Sequence, residues 1–152
     1  MGDPELQVIY WTDEEYTGRI TATVRSGQFS VQGAAWFDRL HVKSTFLAEL
    51  RKFPLSSTNP PTLEGGFWNG EQPKGLDQCH LRISIKPHDS RGTLLVHVDV
   101  SSEVWKTPDA DLQNSATVRF RAEYAVLDRF VTEFEQVLDG KRDIAVLKGI
   151  TA

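Results

Sequence analysis

The fold is decided by the stretch CHLRISIKPHDSRGTLLVHVDVS at residues 79–101. Apolar and polar residues alternate in both of its halves, on either side of a central segment at 87–92. This alternation is typical of antiparallel strands that have one face in a core and one face in water. We therefore predict a β-hairpin that turns at 87–92. The predicted pairs are Ile85 with Leu94, Ile83 with Val96, Leu81 with Val98 and Cys79 with Val100 on the packed face, and Arg82 with His97 and His80 with Asp99 on the wet face.

A second hairpin is predicted from residues 19–25 and 29–37. Gly27 and Gln28 form its two-residue turn, and a glycine at the first position is typical of a type II′ turn. The turn brings the apolar residues of the two strands into register. The predicted pairs are Val24 with Val31, Ala22 with Gly33 and Ile20 with Ala35, with Trp36 opposite Arg19 on the polar face. Further strands are predicted at 6–11, 63–68, 115–123 and 144–147.

Two helices complete the predicted fold. Residues 44–52 carry a short apolar stripe, with Ser44 as the N-cap. Residues 124–139 carry the longest stripe in the chain, and Gly140 follows where a helix-ending glycine belongs. A helix with one apolar face needs a surface to cover. We therefore predict an α+β fold, a curved and mainly antiparallel sheet with the long C-terminal helix on its apolar face. The alternative is a β-sandwich with the helix at one edge.

Composition limits the class of protein. A chain of 152 residues with 39% hydrophobic and 25% charged residues indicates one globular domain, residues 1–152. No apolar run approaches the ~20 residues of a membrane span, and no signal peptide is recognisable, so we expect a cytoplasmic protein. The single cysteine, Cys79, excludes an internal disulfide. The net charge of −4 argues against nucleic acid as the partner.

Charge is segregated if these strands are right. The outward positions hold five arginines and two acids, a net charge of +3, which leaves −7 for the rest of a chain whose net charge is −4. These residues are Arg19, Arg25, Arg82, Arg119, Arg121, Asp99 and Glu123. They could form a binding face for an acidic partner, because arginine makes bidentate contacts with carboxylates. They could equally form a solvated face with cross-strand ion pairs.

No residue constellation has the spacing that a known catalytic mechanism needs. His80, His97 and Asp99 could converge on a metal ion, but Arg82 in the same patch opposes a cation. Cys79 falls on the packed face, where we expect a buried thiol and not a nucleophile. We predict no catalytic residue, no metal and no cofactor. The candidate binding residues are Arg19, Trp36, Trp68, His80, Arg82, His97, Asp99, Arg119 and Arg121.

The order of several segments resembles a known group of proteins. These segments are YTGRITATV at 16–24, GQFSVQGAAWF at 27–37, a helix ending at 53–55, LEGG at 63–66, RGTLLV at 91–96 and AEYAVLDRF at 122–130. The chain resembles small uncharacterised bacterial proteins, some of which are labelled immunity proteins of contact-dependent toxin systems. The resemblance covers most of the chain and rests on turn glycines, core aromatics and a helix stripe. It implies a class of function and no site residues.

Three functions follow as hypotheses. The first is a non-catalytic protein-binding domain, in particular an immunity protein that covers the active site of a toxin. A basic toxin would suit the acidic surface at Asp13, Glu14, Glu15, Asp128, Glu133, Glu135 and Asp139, and an acidic partner would suit the arginine face. The second is a small-ligand or carbohydrate-binding module that uses Trp36, Trp68 and the arginines. The third is an unrecognised enzyme. A homodimer could also form by pairing of strand 6–11.

Overall fold

A computed structural model describes residues 2–68, 75–105 and 109–151. Within these ranges the chain forms eight strands, a short helical segment, a 3₁₀ turn and one long helix. The strands are β1 (Glu5–Thr12), β2 (Thr17–Ser26), β3 (Phe29–Asp38), β4 (Thr62–Trp68), β5 (Leu76–Pro87), β6 (Thr93–Ser101), β7 (Ser115–Glu123) and β8 (Ala145–Lys148). The helical elements are α1 (Arg39–Val42), a π turn (Lys43–Leu47), α2 (Ala48–Leu50), the 3₁₀ turn (Asp109–Leu112) and α3 (Tyr124–Leu138).

The strands make two four-stranded antiparallel sheets. Sheet 1 has the order β3-β2-β1-β8, and sheet 2 has the order β4-β5-β6-β7. The predicted α+β class and its antiparallel pairing are confirmed. Strand β1 is not the exposed edge strand that was expected, because it pairs with β2 along its length and with β8 at Glu5 to Val8; a homodimer stays a prediction. Its partner on the β8 side comes from the far end of the chain, which no local pattern reveals.

The core lies between the two sheets and α3. Strand β3 runs across sheet 2 and touches each of its four strands. A methyl group built on Gly65 of β4 would come 2.7 Å from Cζ of Phe37, so the sheets are closely packed at this crossing. Helix α3 packs on β1, β7 and β8. Its predicted stripe is buried as expected, at Leu127, Phe130, Val131, Phe134, Val137 and Leu138.

The chain after β8 connects the two sheets. The backbone N–H of Gly149 donates to Pro4 O, just before β1, at 2.8 Å. The next residue, Ile150, donates to Arg121 O of β7 at 2.7 Å. This segment therefore contacts the edge of β7 near its end and holds the end of sheet 1 against sheet 2.

The β2–β3 hairpin forms as predicted. Val24 lies opposite Val31, Ala22 opposite Gly33, and Arg19 opposite Trp36. Gly27 has a φ of 60°, and no other residue in the turn has a positive φ, which agrees with a type II′ turn. A two-residue turn leaves no freedom in register, and this is why the sequence sufficed here.

The predicted register of the β5–β6 hairpin is wrong by two residues. Ile85 pairs with Val96 and Leu81 with Val100, and Arg82 lies opposite Asp99. The loop is tighter than predicted, because His88 N donates to Thr93 O and closes it. Within this loop, Oδ1 of Asp89 accepts hydrogen bonds from two backbone N–H groups. A slip of two residues keeps every side chain on its face, so the alternation alone could not detect it.

A β-bulge overturns the predicted faces of Cys79 and His80. Gly65 pairs with Leu81 but Gly66 pairs with Cys79, so His80 is left out of the ladder. His80 is only 2% exposed, whereas Cys79 is half-buried and not in the core. The predicted pairs of Cys79 with Val100 and of His80 with Asp99 are also wrong, because the two-residue slip places Leu81 and Arg82 opposite these partners. An extra residue in one strand reverses the alternation beyond it.

The short helix begins earlier than predicted. Asp38 and not Ser44 is the N-cap, and its Oδ1 accepts from Leu40 N and His41 N. The helical segment then continues through the π turn to Leu50. Among the described residues, no helix is both long enough and apolar enough to cross a lipid bilayer.

Candidate functional site

The structure separates the predicted binding residues into several places. Arg19 and Trp36 lie on the outer face of sheet 1, and Trp68 lies at the end of β4 in sheet 2. His80 is buried. The remaining candidates lie on the outer face of sheet 2, and they are Arg82, His97, Asp99, Arg119 and Arg121. The single arginine face is therefore wrong, because its members occupy the outer faces of two different sheets.

One exposed surface is a row of three side chains across sheet 1, which we call the Trp–Arg row. It consists of Trp11 on β1, Arg19 on β2 and Trp36 on β3, each directly opposite the next in the strand register. The two indole rings meet edge to face, with their centroids 5.9 Å apart. Trp11 is 60% exposed and Trp36 is 47% exposed. The row thus presents two large aromatic rings and a cation to solvent.

Arg19 has no ionic partner within the described part of the chain. The other arginine on this face, Arg25, pairs with the buried carboxylate of Glu5. Arg19 is exposed, and no ion pair or hydrogen bond joins its guanidinium to another described residue. A free guanidinium between two tryptophans can accept a carboxylate in a bidentate contact while the rings cover the ligand.

An open groove of about 480 Å³ lies beside the Trp–Arg row, and we call it the β3 groove. One wall is the free edge of β3, since successive residues at 31–34 line the groove together with Trp36. Arg19 reaches it from β2. The floor comes from the ends of β6 and β7 and from the chain beyond them, at residues 100–103 and 114–116. Its polar side chains include Gln32, Ser102, Glu103, Asn114 and Ser115.

The outer face of sheet 2 has fewer free charges than the sequence suggested. Arg82 is held by Glu64, with Nη2 2.8 Å from Oε2. Asp99 accepts hydrogen bonds from His97 Nε2 and Thr117 Oγ1. Burial alone would raise the pKa of Asp99, but these hydrogen bonds and nearby charges outweigh it and lower the pKa.

Two candidates on this face have no partner. Arg119 and Arg121 are exposed on β7, and no ion pair or hydrogen bond links their side chains to other described residues. Leu95, the residue opposite Arg121 in the strand register, is half-buried. The face therefore offers cations without the aromatic area that sheet 1 provides.

The buried His80 belongs to a small aromatic cluster. Its ring meets Phe67 edge to face, with centroids 4.5 Å apart, and Phe67 also contacts the exposed Trp105. His80 Nε2 donates to Oε1 of Gln78, whose amide is bonded to the backbone of Val104. Burial lowers the pKa of His80, and the Glu103 carboxylate opposes this only in part. Within the described ranges, no group of three or more His, Cys, Asp or Glu side chains is arranged to hold a metal ion.

Three of the seven acids in the predicted acidic surface, Glu133, Glu135 and Asp139, are neutralised by contacts inside the protein. Glu135 of α3 pairs with Arg51 at 2.6 Å. Asp139 lies 2.8 Å from Lys43 Nζ and 3.4 Å from Arg39 Nη1. These pairs fasten the short helical segment to α3. The acids that remain exposed and without an ion pair among the described residues are Asp13, Glu14, Glu15 and Asp128.

A second cavity, of about 470 Å³, lies between α3 and the outer side of β1 and β8. Two buried carboxylates lie along it, Glu5 and Glu133. Each has two cationic partners within the chain, Arg25 and Lys148 for Glu5 and Arg129 and Arg142 for Glu133. Because these charges satisfy one another, the Trp–Arg row is the better candidate for recognition.

Sequence reasoning singled out Arg19 and Trp36 but not Trp11, which completes the row. The sequence did contain the information, because Trp11 and Arg19 flank the acidic turn at 13–15. A predicted hairpin of β1 and β2 closed by that turn would have placed the two residues opposite each other. No family model matches this sequence, and no curated protein or solved structure is significantly similar to it.

Proposed function

We propose that this chain is a non-catalytic protein-binding domain that recognises an acidic patch on its partner through the Trp–Arg row. The observation that carries the proposal is the alignment of Trp11, Arg19 and Trp36 on one exposed face. Tryptophan and arginine are the residues that most often dominate the binding energy of protein interfaces. Exposure of two adjacent indole rings to water is unfavourable, and a binding partner that covers them would account for their position.

The surroundings of the row support an interface. Ile9, two residues before Trp11 on the same face, is 43% exposed, and Thr21 and Ala34 complete the next row across the sheet. Ile9 and Ala34 thus extend the apolar surface of the two tryptophans around one cation. Contiguous exposed apolar patches with a polar rim mark interaction sites more often than scattered apolar residues do.

We further propose that the partner is a toxin and that this chain is its immunity protein, acting in the cytoplasm. The free guanidinium of Arg19 favours an acidic surface on the toxin. A basic toxin surface docking on α3 is less favoured, since Glu135 and Asp139 are already paired with Arg51 and Lys43.

The test identifies the partner through the row itself. A photo-crosslinking amino acid in place of Trp11 is expected to trap a protein in the source cells, whereas the same amino acid in place of Thr117, on the outer face of sheet 2, is not.

With the purified partner, W36A and R19A should each weaken binding about tenfold or more. W68A is the matched control, because Trp68 is 48% exposed against 47% for Trp36. Equal losses for W36A and W68A would refute the assignment.

The immunity role has its own readout. Expression of the trapped partner alone should arrest growth, and co-expression with the wild-type chain should restore it. Co-expression with a variant carrying R19A and W36A together should not. A partner that is harmless when expressed alone would remove the immunity role and leave the binding function in place.

A small polar ligand is the second candidate function. The β3 groove joins Trp36 to amide, hydroxyl and carboxylate groups, including Gln32, Ser102, Asn114 and Glu103. An aromatic ring beside such groups is a common arrangement for binding saccharides or other polar small molecules. A thermal-shift screen with mono- and oligosaccharides tests this candidate. Stabilisation that W36A abolishes, with no protein trapped from position 11, would favour it over the protein-binding function.

A further inference from the structure

We propose that the partner docks by strand addition, with an extended peptide segment pairing along the free edge of β3 in the β3 groove. This inference rests on the proposed protein-binding function and specifies how the partner is held. The occupant is one extended segment of a partner protein that carries an acidic side chain. Main-chain hydrogen bonds give the affinity in this mode, and side-chain pockets give the specificity.

The turn at Gly27 and Gln28 determines which groups of β3 are free. In a two-residue hairpin the closing pair, Ser26 and Phe29, is hydrogen-bonded, and hydrogen-bonded and open pairs alternate from there. The backbone N–H and C=O groups of alternate residues therefore point away from β2. These residues are Ser30, Gln32, Ala34 and Trp36. No described residue forms a hydrogen bond with them on that side.

The edge of β3 lacks the devices that normally prevent pairing. Charged side chains, proline and bulges protect natural edge strands. Strand β3 is ten residues long, and it has no proline, no bulge and no charged residue before Asp38. Two of the other edges are partly occupied by groups of the same chain. In β8, Val146 N donates to Oε1 of Glu133 at 3.0 Å, and in β7 Arg121 O accepts from Ile150 N.

The floor of the groove leaves room for a single extended segment but not for a second folded copy of this chain. The ends of β6 and β7, with Val100 and Ala116, line the groove beside the edge of β3. The β3 of a second copy already has its own sheet 2 packed on that same face, through its contact between Gly33 and Val100. That sheet would overlap the floor. A peptide segment has no such layer beneath it and fits.

The lining defines the chemistry of the segment. Side chains that point to the outer face meet Trp36 and Arg19, and the free guanidinium of Arg19 calls for an acidic residue there. Side chains that point inward meet the floor, where Val100 and Ala116 favour small apolar residues and the carboxylate of Glu103 disfavours a second acidic one. The segment therefore alternates acidic or aromatic-contacting residues with small apolar ones.

The test uses random peptides of about nine residues displayed on phage and selected against the folded wild-type chain. Selected peptides should be extended sequences with an acidic residue, and their affinities are then measured by calorimetry. Ala34→Pro removes one free N–H but no bond to β2, and proline is tolerated at such edge positions. It should weaken binding about tenfold or more, whereas the matched control Ala34→Ser should retain it.

A second measurement leaves the protein unchanged. Methylation of single backbone nitrogens along a selected peptide should abolish binding at every second residue, because only alternate N–H groups face β3. This pattern decides the question even where Ala34→Pro does not fold. A selection that yields no peptide with this alternating sensitivity overturns strand addition. A dimer that forms with rising concentration in sedimentation and that Ala34→Pro dissolves also overturns it, because the occupant is then a second copy.

The outcome is separable from that of the proposed function. If position 11 still traps a partner whose binding W36A weakens, but Ala34→Pro does not affect that binding, strand addition is wrong and the protein-binding function stands. If neither W36A nor Ala34→Pro weakens binding of the partner, both strand addition and the assignment of the Trp–Arg row are wrong.

Discussion

Gly33 of β3 lies directly against Val100 of β6, and a methyl group built on Gly33 would overlap Cγ1 of Val100. Glycine at this position lets β3 cross sheet 2 at close range, and this approach also forms the inner end of the β3 groove. The contact joins the packing of the core to the shape of the candidate binding site.

Gly33→Ala should lower the free energy of unfolding by about 1–3 kcal/mol, because the added methyl group has no space beside a side chain that cannot swing away. The same substitution should cost less in a Val100→Ala background, where Cγ1 is missing. Chemical denaturation of the four chains in this double-mutant cycle measures the difference. Equal costs in both backgrounds would contradict the overlap.

Glu133 and Glu135 of α3 both pair with arginine, but they differ in burial, with side-chain exposures of 9% and 37%. Glu133 also accepts from Val146 N and so fastens β8 to α3. Glu133→Ala should destabilise the fold by about 1–3 kcal/mol, since it leaves the backbone N–H of Val146 without its acceptor and removes the ion pair with Arg142. Glu135→Ala, the matched control, should cost less than about 1 kcal/mol. Thermal and urea unfolding compare them, and similar costs would mean that burial is not the cause.

The buried His80 should make stability depend on pH. Burial lowers the pKa of His80 in the folded chain below the ordinary value of 6.5, so the unfolded chain binds a proton first as the pH falls. The free energy of unfolding should therefore decrease from about pH 7.5 to about pH 5.5. His80→Gln should flatten this slope, whatever its effect on absolute stability. His88→Gln, at an exposed position in the β5–β6 loop, should leave the slope unchanged. A slope that His80→Gln does not alter would refute the assignment.

Cys79 should react slowly with alkylating reagents although it is partly exposed. Burial raises the pKa of its thiol above the ordinary value of 9.0, and the nearby charge of Arg82 is the larger of the two effects that favour the thiolate. Arg82→Gln should shift the alkylation rate profile to higher pH, whereas Arg119→Gln should not. Mass spectrometry of the iodoacetamide-treated chain over a series of pH values follows the reaction. An unchanged rate profile in Arg82→Gln would show that the charge of Arg82 does not reach the thiol.

The accuracy of the sequence prediction followed the range of the interactions. The β2–β3 register was predictable because Gly27 and Gln28 leave only one way to join the strands. The β5–β6 register was not, because the alternation of residues is unchanged by a slip of two. The exchange of Cys79 and His80 between faces depended on a bulge opposite Gly66, a residue distant in sequence.

The candidate site shows the same division. The pairing of Arg19 with Trp36 could be predicted, since both lie in one hairpin, whereas the split of the arginines between two sheets could not. The arginines are split because β2 belongs to sheet 1, whereas β5 and β7 belong to sheet 2.

By itself, the sequence determined the α+β class, the strand faces on the regular strands and the burial of the α3 stripe, because these follow from hydrophobic periodicity over a few residues. The tertiary structure alone decided which strands share a sheet, which acids are neutralised by distant cations and where the free edge of β3 meets the floor formed by β6 and β7. These depend on contacts between residues far apart in the chain, whose free energies are set by the assembled packing and leave no local pattern.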